Sequence, residues 1–219
     1  MKPTSTGNRA KKVATLLFES GAVTFRTSRP FKFTSGILSP VYSDNRLLIS
    51  DVEKREKIAD FFVEKIKNIK QVDVIAGVAT AGIPHAAFVA QKLKLPLVYV
   101  RASIKGHGLE NQVEGRIKRG QTVVVIEDLV STGQSSTSAV KALRRLGAKT
   151  DDLLAIFTYN LAVSKENFEK NKINFKVLCN LETAAEVAKE NCYLKKEQVK
   201  TILDWAKDPK NWAKKMGFA

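Results

Sequence analysis

The chain has 219 residues, 44% hydrophobic and 27% charged, a globular composition that excludes disorder as the main state. Against 22 Asp and Glu stand 37 Lys and Arg, and the net charge of +15 points to anionic partners (nucleic acid, phosphorylated metabolites, a membrane surface) or to a solvated Lys-rich face. The cysteines are Cys179 and Cys192 and the histidines His85 and His107, which excludes a disulfide scaffold, argues against structural zinc and fits a reducing cytoplasm.

The first twelve residues, MKPTSTGNRAKK, have no apolar stretch behind their charges, so no signal peptide is expected. Val13, Leu16 and Leu17 predict a helix over 11–20, stopped at Gly21. AVTFR, FKFTSGILSP and VYSDN then read as short strands and turns. Ser50 and Glu53 have the spacing of a capping box for a second helix, whose face is Ile58, Phe61, Phe62, Ile66 and Ile69.

From residue 72 the pattern alternates between strand and helix. VDVIAGV (72–78) is a continuous apolar run, and GIPHAAFVAQKL (82–93) is a helix with Pro84 in its first turn. His85 reads as a local cap there. The window from Val74 to Ala90 is the most apolar, but Gly77, Gly82, Pro84 and His85 interrupt it, so a membrane span is not expected. Strands follow at 96–100 and 122–128, then a helix at 135–146 ended by Gly147, strands at 152–159 and 175–179, and a helical tail through Trp205. Unbroken Val/Ile/Leu strands are covered on both faces, which predicts an α/β protein with a mostly parallel central sheet flanked by helices. The expected division is a single domain: an N-terminal segment of about 1–46, a core over 50–180 and a helical appendage over 181–219. Between Arg101 and Thr122, about twenty basic, glycine-containing residues lack periodicity, as lids and binding loops do.

VVVIEDLVSTGQSS (123–136) carries the chemistry. An apolar strand runs into Glu127 and Asp128, followed by Ser131, Thr132, Gly133, Ser135 and Ser136 and then a helix. Ligands of open α/β sheets bind at the carboxyl ends of strands. Hydroxyls, a glycine and the free N–H groups of a helix start form a phosphate cradle. Carboxylates cannot bind phosphate, but they suit sugar hydroxyls or a developing positive charge. The ligand read from this pattern is a phosphorylated ribose, although a strand end with an ordinary helix cap has the same residue types. There is no GxxxxGK[ST] and no GxGxxG.

This segment resembles the phosphoribosyl-diphosphate (PRPP) motif of type I phosphoribosyltransferases. FTSGILSPVYSDNR (33–46), GVATAGIPHAA (77–87), YVRASIKGHGLENQVEG (99–115) and DWAKDPKNW (204–212) are similar to the orotate phosphoribosyltransferases and occur in that family's order. The resemblance implies the type I phosphoribosyltransferase fold with a small N-terminal hood. It implies transfer of a 5-phosphoribosyl group from PRPP to N1 of orotate, giving orotidine 5′-monophosphate and pyrophosphate in pyrimidine biosynthesis. Mg2+ would be held mainly through PRPP, with no direct protein ligand. The motif from Glu127 through Leu129, Val130, Ser131, Thr132, Gly133 and Gln134 to Ser135 would bind PRPP, with Glu127 and Asp128 on the ribose hydroxyls and the 131–135 turn on the 5′-phosphate. Asp128 would also favour an oxocarbenium-like transition state. Arg101, Lys105 and His107 would close over the pyrophosphate, with Lys105 or His107 supplying a proton to it. Thr80, Ala81 and Gly82 would form the pyrophosphate pocket, and Thr34, Ser35, Tyr42, Ser43 and Ser131 would flank orotate. The resemblance further implies a homodimer whose lid loop reaches the neighbouring subunit's site.

The chain departs from the family pattern at Ala102, Thr34, Ala81 and Thr158–Asn160, where many members carry basic residues, and these losses read as the character of one subgroup. The usual STGGS is STGQS; were φ positive at Gln134, the side chain would cost on the order of 1 kcal/mol. Two other readings stay open: the same fold acting on another base, and a PRPP-sensing regulator that binds nucleic acid. The SGILSPVYSDNR segment argues against the first, and Arg101, Lys105 and His107 against the second. Seven basic residues within the first 32 lack interleaved aromatics, so a nucleic-acid partner is not expected. Cys179 reads as a buried apolar residue, and Trp205 and Trp212 as packing of the appendage.

Overall fold

The computed structural model describes residues 5–102 and 112–218. In chain order the elements are α1 (Ser5–Glu19), β1 (Val23–Phe25), β2 (Phe31–Lys32), β3 (Leu38–Ser39), β4 (Val41–Ser43), α2 (Leu47–Ser50), α3 (Val52–Ile66), β5 (Val74–Val78), α4 (Gly82–Leu93) and β6 (Leu97–Val100). After residue 112 come β7 (Val113–Glu114), β8 (Val123–Val130), α5 (Gln134–Arg145), β9 (Asp152–Thr158), α6 (Ala162–Lys170), β10 (Asn174–Asn180), α7 (Leu181–Glu190), α8 (Lys196–Lys207) and α9 (Trp212–Lys215).

Six strands form the central sheet in the order β10-β9-β8-β5-β6-β7. All pairs are parallel except β6 with β7. The unbroken apolar runs are explained by the pleat, which sends successive side chains to opposite faces. On β8, Val124 and Ile126 pack into one core layer and Val123 and Val125 into the other. On β9, Leu154 and Ile156 join the first layer and Leu153 and Ala155 the second. The first layer also takes α1, α3, α4 and the C-terminal helices, through residues such as Leu17, Phe62, Val89 and Trp205. The second takes α5 through Val140 and Leu143.

Beside this sheet sits a small hood built from two antiparallel pairs, β1 with β4 and β2 with β3. Neither pair shares ladder hydrogen bonds with the central sheet. The C-terminal appendage holds the hood instead: Trp205 on α8 donates its indole N–H to the Leu38 carbonyl at 3.1 Å, and Gln198 Nε2 donates to Thr27 Oγ1 at 3.0 Å. Trp205 therefore packs, as the sequence suggested, and also anchors the β2–β3 pair.

Four local expectations are corrected. The cap of α3 is Asp51, whose carboxylate accepts from Lys54 N at 3.0 Å. Ser50 instead donates to the Leu47 carbonyl, because Leu47–Ser50 already form the short helix α2, so no Ser50–Glu53 box forms. His85 caps nothing at the start of α4; it is 2% exposed and packed inward. The stretch before Thr122 contains β7, pairing Val113 with Val100, where two residues are too few for a period-2 signal. Helix α6, not expected from the pattern, has little apolar face: only Ser164 and Phe168 are buried.

Candidate active site

From β5 the chain crosses to β6 on one side, whereas β8 leads to β9 and β10 on the other. The carboxyl ends of β5 and β8 thus flank the switch point, where open α/β sheets bind ligands. Both strands lead into helices that lack a side-chain cap. Ala81 precedes α4 and Gly133 precedes α5, and neither start has a capping hydrogen bond. At α5 the first N–H groups are open to an anion; at α4 only that of Gly82 is, because Ile83 N donates to the Thr80 carbonyl at 3.3 Å and Pro84 has no N–H.

After β5 come Thr80, exposed, Ala81, half-buried, and Gly82, buried. The Ala79–Thr80 peptide is cis. Near the end of β8, the two acids diverge because adjacent strand residues point to opposite faces. Asp128 is half-exposed. Glu127 is 4% exposed and accepts from Ser136 Oγ at 3.1 Å and Ser135 Oγ at 3.3 Å. Burial, and then the neighbouring Asp128 charge, push the Glu127 carboxyl well above the usual range. So Glu127 is turned under the start of α5, and Asp128 is the acid that faces the crevice.

The turn that follows joins β8 to α5. Ser131 is half-buried, and Thr132, Gln134 and Ser135 are exposed. Gly133 has φ +75° and a Cβ there would lie 2.8 Å from the Phe168 ring. The left-handed position is therefore Gly133, and Gln134 is the first residue of α5, with no cost to its side chain. Asn167 on α6 supports the turn, donating to the Thr132 carbonyl at 2.9 Å. Leu129 is half-buried, but Val130 belongs to the sheet: its side chain is buried and its carbonyl accepts from Thr158 Oγ1 at 3.0 Å and Tyr159 N at 3.2 Å.

On the hood, Thr34 and Ser35 are exposed at the β2–β3 turn, Tyr42 is 41% exposed and Ser43 is half-buried. Beneath them lies an aromatic floor in which Phe33 stacks on Tyr159 at 6.3 Å and both meet Trp205 edge-on. The Tyr159 hydroxyl faces the Ser43 main chain, and burial raises its pKa. Tyr159 thus serves the floor, and Thr158 the sheet, through its hydrogen bond to the Val130 carbonyl.

Arg101, half-buried, contacts Glu114 Oε1 at 3.4 Å. Lys105 and His107 lie outside the described residues. The residues flanking 103–111 are joined by two hydrogen bonds: Arg101 N donates to the Gln112 carbonyl and Gln112 Nε2 to the Arg101 carbonyl, each at 2.8 Å. The same Gln112 reaches Ser138 Oγ and Arg145 on α5. Sequence reasoning missed Asn167, which belongs to no motif, and Gln112, which lies within YVRASIKGHGLENQVEG (99–115) but carries no recognisable role there. It missed Asn45 as well, although that residue lies within SPVYSDNR: its amide donates to the Asp128 carbonyl at 2.7 Å.

A phosphoribosyl transferase domain profile matches residues 49–203, so the chain belongs to the phosphoribosyltransferase family. Its relatives narrow the class. An orotate phosphoribosyltransferase of Coxiella burnetii is 46% identical over 206 residues, covering 94% of this chain and 99% of that protein. One of Listeria monocytogenes is 48% identical, covering 93% and 98%. Among solved structures, the orotate phosphoribosyltransferase of Aeropyrum pernix superposes with a TM-score of 0.72 at 30% identity, covering 84% of this chain and 99% of that one.

Proposed function

We propose that the chain is an orotate phosphoribosyltransferase, which transfers the 5-phosphoribosyl group of PRPP to N1 of orotate and releases pyrophosphate. The observation that carries this reading is the SGILSPVYSDNR hood, held by Asn45 against the Asp128 strand end, at a switch point with two uncapped helix starts. Relatives of that name, 46–48% identical over nearly the whole chain, support it.

The residues divide the substrate between them. The N-terminal amides of α5, with Ser131, Thr132 and Ser135, take the 5′-phosphate. The Thr80–Gly82 turn takes the pyrophosphate. Asp128 accepts from the ribose hydroxyls, and its charge stabilises the positive ribosyl ring as the C1′–oxygen bond breaks and the N1–C1′ bond forms, the N1 proton of orotate being released to solvent. Glu127 keeps Ser135 and Ser136 in register below. Arg101, Lys105 and His107 neutralise the departing pyrophosphate, and Lys105 or His107 supplies its proton.

Mg2+ is proposed to enter with PRPP. Among the described residues no group of three or more His, Cys, Asp or Glu is placed to cage a metal. Mg2+ prefers a few carboxylates plus substrate phosphates, and Asp128 offers an accessible oxygen beside the proposed ribose site. When bound, the ion would supply counter-charge to the pyrophosphate. A homodimer that shares the lid between subunits, and a cytoplasmic location, complete the proposal. No helix among the described residues is long and apolar enough to cross a membrane.

The test is an assay with PRPP, Mg2+ and a panel of bases. Orotate is expected to give orotidine monophosphate, and EDTA to abolish turnover. Reaction of adenine, hypoxanthine or uracil, but not orotate, would overturn the substrate assignment.

A further inference from the structure

We propose that Asn45 is a positioning residue which, with His85, fixes the base-side hood to the main chain of Asp128 and so sets the gap between base and ribose. The proposal rests on the assignment of Tyr42 and Ser43 to the base and Asp128 to the ribose.

The hood shares no ladder bonds with the central sheet, so side chains must set its height above β8. Asn45 is fully buried, and a buried amide needs partners. Its Nδ2 donates to the Asp128 carbonyl at 2.7 Å, across 83 residues of sequence. Its Oδ1 lies 3.5 Å from Ser43 Oγ on the base-side strand. A single buried side chain thus contacts both the proposed base segment and the proposed ribose acid.

His85 is the third member. It stands in the first turn of α4, three residues past Gly82 of the pyrophosphate turn, and is 2% exposed. Its imidazole faces the Asn45 main chain and the Asp128 charge, while burial keeps its pKa low. The Nε2 atom has no hydrogen-bond partner among the described residues. A leucine or phenylalanine would fill this space without an unsatisfied nitrogen, so packing alone does not account for a histidine. The segments assigned to base, ribose and pyrophosphate therefore converge on one buried polar contact between Asn45, Asp128 and His85.

Group transfer requires the attacking nitrogen about 3–3.5 Å from C1′, and a displacement of about 1 Å can cost about a hundredfold in rate. Losing one tether of several should cost less. Asn45→Leu, similar in size but without the amide, is expected to lower kcat about tenfold while KM for PRPP changes less than about threefold. His85→Phe should lower kcat by a smaller factor, and the double variant by less than the product of the two, because both act through one contact.

Amide hydrogen exchange over 41–45 gives a readout independent of turnover, and it should quicken in Asn45→Leu while exchange in β8 stays unchanged. Three results would each overturn the proposal. They are wild-type kcat with unchanged exchange in folded Asn45→Leu, a rate loss explained by a smaller folded fraction, and strictly multiplicative effects in the double variant. Failure of the wild-type protein to use orotate would instead overturn the substrate assignment, and the exchange measurement would still decide the role of Asn45.

Discussion

Gly82 lies so close to Ile126 that a Cβ on the glycine would fall 2.7 Å from the Ile126 carbonyl oxygen and 3.4 Å from Glu127 Cα. The obstacle is backbone, so no side chain can swing away. The close approach lets the turn after β5 rest directly on the end of β8, with Gly77 opposite Ile126 in the ladder.

Gly82→Ala is therefore expected to push the proposed pyrophosphate turn off β8. Overpacking of this kind costs about 1–3 kcal/mol. In a chain of this size each kcal/mol lowers Tm by about 2–4 °C. Calorimetry reads the shift, and kcat should fall with it. An unchanged Tm would mean that the two segments separate freely.

Asp128→Asn should leave Tm nearly unchanged, because the carboxylate is half-exposed at a strand end and outside the core. Its loss should remove about 2–4 kcal/mol of transition-state stabilisation, seen in kcat. A folded variant with near-normal turnover would take Asp128 out of the mechanism.

Glu127 should behave in the opposite way. Its carboxyl pKa is raised in the folded state, by burial first and the Asp128 charge second. A proton held more tightly when folded gives stability that is full below the unfolded value near 4.5 and is lost as pH rises toward the folded value. Gln at this position does not titrate. The Tm of Glu127→Gln relative to wild type should thus climb as pH rises above about 4.5. A Tm difference independent of pH would contradict the raised carboxyl.

Gly133→Ala tests the cradle. The residue has φ +75°, and its Cβ would collide with the Phe168 ring at 2.8 Å. A left-handed alanine alone costs about 1–2 kcal/mol, so lower Tm and a higher KM for PRPP are both expected. Gln134→Gly, by contrast, should gain nothing in PRPP affinity, since Gln134 opens the helix with ordinary dihedrals. Tighter PRPP binding by that variant would reverse this conclusion.

Subunit mixing tests the shared lid. Lys105→Ala and Asp128→Asn parents should each be nearly inactive. With free exchange in equal amounts, half the dimers are mixed and each has one intact site, so activity should recover to roughly a quarter of wild type. No recovery, with exchange verified separately, would place the lid over its own subunit's site.

The parts of this protein that depend on local periodicity and local chemistry can be read from its residues in order. The unbroken strands at Val74–Val78 and Val123–Val130, the helix at Gly82–Leu93 and the acid pair running into a hydroxyl-rich turn were all legible, because burial on two faces and an open helix start impose their residue types directly. Tertiary structure alone decided which acid is buried and which stays accessible. Glu127 and Asp128 differ by one step of the pleat, and only the neighbours β5 and α5 determine which face is the crevice. It decided the cap of α3 too, since Ser50 and Asp51 are both competent caps and only the preceding turn of α2 chooses between them. Asn45, Gln112 and His85 were hidden for the same reason. Their partners lie 83, 11 and 40 residues away, respectively, and a hydrogen bond across such a separation leaves no period in the chain, only a polar side chain buried by the fold.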